Sequence, residues 1–123
     1  MSTVSIFLID TNPVFLRIAT TLLNEFYAAE LTIVGSAPTT AEALPQIQQT
    51  RPHMVLIGLS QHDLSCLRTI AQVREVLPDI PIIVLGALDI DAYRQAAHDA
   101  GANAFVAKIA LNSDLLPTIH KFL

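Results

Sequence analysis

Cysteine, glycine and basic residues are all scarce in this chain, and each scarcity closes off a class of function. One cysteine, Cys66, in 123 residues rules out an internal disulfide and any CxxC redox or metal motif. At the start of a helix it reads as an inert small hydrophobe. Four glycines, none clustered, leave no glycine-rich loop to cradle phosphates. Seven Lys+Arg against eleven Asp+Glu give a formal charge of −4, and the basic residues are scattered, so direct nucleic-acid binding by this segment is not expected. His53, His62, His98 and His120 lack the i, i+4 spacing of a zinc site, and no Ser-His-Asp set is present. No apolar run approaches the roughly 20 residues that cross a bilayer. Met1 to Leu8 also lacks the basic start and long apolar core of a secretory signal. The expectation is a soluble, cytoplasmic, non-enzymatic protein.

What the chain does have is apolar residues, 52% against 15% charged, enough for one compact domain that buries about two-thirds of its unfolded surface. Five short apolar runs recur along it: Val4 to Ile9, Leu31 to Val34, Met54 to Leu59, Ile82 to Leu85 and Ala104 to Ala107. Most are rich in Val, Ile and Leu without strict alternation, the mark of strands covered on both faces.

The segments between them have helical period. Asn12 caps and Pro13 pre-sets a first helix whose stripe is Phe15, Ile18, Leu22 and Phe26. Thr39 and Glu42 form a capping box ahead of Ala43, Leu44 and Ile47, with Pro45 expected to kink or delay that second helix. Leu64 to Leu77 presents Leu67, Ile70, Ala71 and Leu77 to a sheet and stops before Pro78. Ile90 to Ala100 ends at Gly101, a left-handed stop. Ser113 is expected to cap the last helix, with Pro117 near the end of its first turn. No repeat or low-complexity tract interrupts the alternation. Five strands and five helices predict an α/β three-layer (βα)5 sandwich: a doubly wound, flavodoxin-like parallel sheet of order 2-1-3-4-5. Its crevice falls beyond the first and third strands, where Asp10 and Gly58 would face each other.

The strand ends carry a family resemblance. Ile9-Asp10-Thr11-Asn12-Pro13, the segment Pro52 to Ser60, Leu85-Gly86-Ala87 and Ala100-Gly101-Ala102-Asn103-Ala104-Phe105-Val106-Ala107-Lys108 resemble the receiver domains of bacterial response regulators, CheY-like proteins of two-component phosphorelays. The resemblance covers residues 1–123 as one receiver-like domain, and Leu31 to Leu44 is most similar to the NarL and LuxR type, in which the receiver is the amino-terminal part of a longer regulator ending in a DNA-binding domain.

The resemblance implies an acidic pair closing the first strand, an acceptor aspartate closing the third, a Thr or Ser closing the fourth and a lysine closing the fifth. Here Thr11 stands for the second acid, Gly58 for the acceptor and Gly86 for the hydroxyl residue, leaving Asp10 and Lys108. Magnesium needs several hard oxygens, so with Asp10 the single weak candidate ligand no metal or cofactor is expected to bind well. Without a carboxylate at 58 there is no nucleophile for acyl-phosphate formation. These five positions are read as a vestigial phosphorylation site with no catalytic residue. Phe105 matches the family's switch aromatic, and its plainer reading is a packed ring on the sheet edge, with nothing to call it inward.

Asp10 and Lys108 are expected to pair, directly or through water. Asp63 reads as a helix-opening acid in place of a substitute acceptor, and Asp89 and Asp91 flank the fourth helix in the same way. His62 replaces a family proline beside the crevice. The resulting reading is a pseudo-receiver that regulates transcription through protein contacts or self-association, a dimer included, on the face of helix four, strand five and helix five. Two alternatives stand beside it: a phosphoacceptor using a displaced acid such as Asp10, and a small-molecule sensor in the crevice.

Overall fold

The computed structural model describes residues 3–59 and 65–122, with Phe26 and Ser65 described by their backbone. The elements run β1 (Val4–Ile9), α1 (Pro13–Phe26), β2 (Leu31–Ala37), α2 (Thr40–Thr50), β3 (Met54–Leu59), α3 (Ser65–Val76), β4 (Ile82–Gly86), α4 (Asp91–Ala100), β5 (Ala104–Ala107), a 3-10 turn (Lys108–Ala110) and α5 (Leu111–His120). The five strands are parallel in the order β2-β1-β3-β4-β5, as the strand pattern predicts.

The continuous apolar runs are explained by two separate cores. Phe7 and Ile9, Val55 and Ile57, and Ile82 and Val84 point to one face, where they meet Ala43 and Ile47 of α2, Ile70 and Val73 of α3 and Ala97 of α4. Ile6 and Leu8, Met54 and Leu56, and Ile83 and Leu85 point to the other, against Leu16, Ala19 and Leu23 of α1 and Leu111, Leu115 and Ile119 of α5. Successive strand residues alternate between faces that are both buried, so no polar alternation survives in the sequence.

Several local expectations are corrected. Ile18 is 58% exposed, because α1 turns Leu16, Ala19 and Leu23 to the sheet and leaves Phe15 and Leu22 at the flank. Ala71 is exposed, and α3 buries Cys66, Thr69, Ile70 and Val73 instead. The second strand runs on to Ala37, with a register shift at Ile6/Phe7 that pairs Phe7 with Gly35. Pro45 neither delays nor interrupts α2, which starts directly after the Thr39 cap. At the last helix, the 3-10 turn leads straight into Leu111, whose burial fixes the start two residues before Ser113. Ser113 is thereby inside the first turn, its hydroxyl donating to the Ala110 carbonyl, and Pro117 is interior. Gly101 does end α4, at φ 120°, with its N–H on the His98 carbonyl and that of Ala102 on the Ala97 carbonyl.

Arg74 joins the lower ends of two helices. Its guanidinium donates to the carbonyls of Leu77, Pro78 and Ile80 after α3, to Gly101 after α4 and to Asn103 Oδ1. Burial depresses its basicity, partly offset by Asp79.

Candidate functional site

The order of the sheet reverses between β1 and β3, so the loops leaving those strands part there and open a crevice at the carboxyl ends. Asp10, the residue directly after β1, sits at that point with its side chain 2% exposed. A charge so buried needs partners, and both its oxygens have one. Lys108 Nζ lies 2.7 Å from Oδ2, and the Asn12 backbone N–H donates to Oδ1 at 2.8 Å. The expected pair of Asp10 with Lys108 is thus a direct contact. Lys108 comes from the turn after β5 and stacks its ammonium 4.0 Å above the centre of the Phe15 ring.

Gly58 is closely covered by its neighbour. A Cβ built on it would collide with Oδ2 and Cγ of Asp10, so the carboxylate of Asp10 lies in the space that any side chain at 58 would require. Thr11 is exposed beside it. The donor set does not fit a divalent ion of the kind the sequence resemblance implies. Magnesium takes near-octahedral oxygen ligands, whereas among the described residues this crevice offers one carboxylate whose two oxygens are already engaged. Among the described residues no group of three His, Cys, Asp or Glu is placed to hold a metal.

Gly86 repeats the pattern one strand pair away. A Cβ there would collide with Cζ of Phe105 and lie 2.9 Å from Cε1. The expected packed ring on the sheet edge is what the structure shows: half-buried on edge strand β5, Phe105 lies on Gly86 against the α2-α3-α4 core. Arg94 of α4 covers its outer side, 4.7 Å from the ring centre, and is held by Asp89 at 2.5 Å. The hydrogen bond from Arg94 keeps the Asp89 carboxyl below the usual carboxylate range and raises the basicity of Arg94 in return. Sequence reading placed Asp89 and Asp91 at the head of α4 and missed Arg94. Its signal was present: Arg94 follows Asp89 by five residues, across the helix start and within reach of the β5 aromatic.

The remaining candidates scatter. His53 accepts the Ser5 N–H through Nδ1, and His120 pairs with Glu30 at 3.2 Å. His62 and Asp63 lie outside the described residues. Cys66 is buried.

A receiver-like sheet, a crevice at its switch point and a lysine on the first-strand acid define the class. The chain matches the family model for the response regulator receiver domain over residues 6–120, and it belongs to that family of two-component signalling domains. It is 33% identical over 98 residues to the uncharacterized transcriptional regulatory protein YhcZ of Bacillus subtilis, spanning 78% of this chain and 46% of that protein. Response regulator protein VraR of Staphylococcus aureus is 23% identical over 93 residues, covering 76% of this chain and 44% of VraR. The chain thus spans under half the length of these curated relatives. Among solved structures, a LuxR-family response regulator from Aurantimonas sp. superposes with TM-score 0.82 at 22% identity, covering 98% of this chain and 84% of the other. The receiver of a NarL response regulator from Mycobacterium tuberculosis does so with 0.79 at 20%, covering 98% and 96%. At that identity the structural likeness speaks to the fold. Among the described residues no helix is long and apolar enough to cross a membrane.

Proposed function

We propose that this is a pseudo-receiver: a cytoplasmic regulatory domain that transmits its state through protein contacts without aspartyl phosphorylation. The observation that carries the reading is Asp10 folded over Gly58. The acid that fills the acceptor's space grips a lysine and a backbone N–H, and at position 58 there is a hydrogen in place of a nucleophile. Positions 10, 11, 58, 86 and 108 then form a vestigial site with no catalytic residue, and magnesium binding is weak or absent.

The family and the relatives named as transcriptional regulators support an output through an attached DNA-binding domain, with no nucleic-acid contact by the receiver itself. The contact face in this reading is α4-β5-α5, used for a protein partner or a second copy. Phe105 lies on that face, packed on Gly86 under Arg94.

The test is direct. The protein is incubated with Mg²⁺ and acetyl phosphate and its intact mass is taken. An unmodified mass is expected. A phosphoryl adduct on any crevice residue overturns the reading, and its loss in Asp10→Asn would assign the role to a displaced acceptor.

A further inference from the structure

The crevice that no longer suits a cation has the features of an anion site. A cavity of about 220 Å³ opens at the β1/β3 switch point, on the side of the sheet covered by α2 and α3. In open parallel sheets this is where ligands bind. A cavity of that volume suits a compact molecule.

Thr11, Arg68 and Gln72 stand around it, above the buried Ile9 and Ile57. Small-ligand sites are marked by a few such converging polar groups. The other hydroxyls of the wall are engaged: Thr39 caps α2 through the Glu42 N–H, and Thr40 bonds Thr69 at 2.6 Å. Thr11, Arg68 and Gln72 make no side-chain hydrogen bond or ion pair among the described residues.

Charge sets the sign of the ligand. Asp10, the one carboxylate lining the cavity among the described residues, is neutralised by Lys108 at 2.7 Å, which leaves the guanidinium of Arg68 without a counter-charge among those residues. Arg presents a planar fork that takes carboxylate or phosphate oxygens two at a time.

We propose that this crevice binds a small organic anion, a hydroxylated carboxylate or phosphomonoester, with its anionic group on Arg68. Thr11 and Gln72 bond its remaining oxygens. The site supplies an input for the domain proposed above, and it rests on that reading in requiring Asp10 to stay paired with Lys108.

The test is an amide NMR titration of the protein with D-glycerate, glycerol 3-phosphate and, as the neutral control, glycerol. Saturable shifts at residues 9–11, 58 and 68–72 are expected with at least one of the two anions, and which one binds tells carboxylate from phosphate. Arg68→Gln, at an exposed position, is expected to keep its melting temperature while weakening binding at least tenfold. Silence with both anions, undiminished binding in Arg68→Gln, or glycerol binding as tightly as the anions would each overturn the proposal. A phosphoryl adduct in the mass experiment overturns the pseudo-receiver reading itself, whereas an unmodified mass with silent spectra removes only the anion site.

Discussion

Two corners of the sheet's carboxyl rim each carry a glycine, and the space above each is filled differently. At the β1/β3 corner the space above Gly58 is taken by a carboxylate, which keeps its charge by pairing with Lys108 and leaves a cavity on the α2-α3 side. At the β4/β5 corner the space above Gly86 is taken by an aromatic ring, sealed from outside by Arg94. A polar filler must be neutralised and so recruits a distant residue, 98 positions along the chain. An apolar filler needs contact, which a neighbouring strand supplies. Each glycine is the residue that its filler requires.

Three perturbations break this comparison, in descending size. Lys108→Met strands Asp10 with only the Asn12 N–H, and removing one partner of a buried ion pair costs about 3 kcal/mol. Urea unfolding should show that loss, and the double variant Asp10→Asn/Lys108→Met should recover part of it. A loss near zero would mean that water readily reaches Asp10. Gly86→Thr introduces a hydroxyl at the other corner but drives it into Phe105, an overpacking worth about 1–3 kcal/mol. Adding Phe105→Ala should reduce that clash, and a Gly86→Thr protein as stable as the parent would place the ring elsewhere.

The smallest effect is that of pH on the Asp89–Arg94 clamp. The folded carboxyl titrates below its unfolded range, so the clamp stabilises above the ordinary carboxylate value and fades as pH falls below about 4. Phe105 ring resonances should shift in that window, and Asp89→Asn should remove the shift. Resonances that stay fixed would show that the ring packs without the clamp.

The architecture was legible because doubly buried strands and capped helices leave strong local signals. Asn12 with Pro13, Thr39 with Glu42, and Gly101 each sit where their short-range chemistry demands. The start of α5 was not legible, since the burial of Leu111 set it and outweighed the capping preference of Ser113. At the site, residue identities at 10, 58, 86 and 108 could be read from the strand ends, but what fills a glycine's space depends on which rotamers converge there. The ring over Gly86 and the carboxylate over Gly58 are tertiary facts. Arg68, the cation of the proposed anion site, sits on the exposed side of α3 with no local pattern to mark it.

The Arg74 clasp has a mechanical consequence. Because one guanidinium grips the chain leaving α3 and the chain leaving α4, the trailing ends of these helices are pinned together while the leading end of α4 rests on the Asp89–Arg94 contact. Any excursion of α4 is therefore a swing about its tethered tail, which turns a small push at the rim into a tilt of the whole rod.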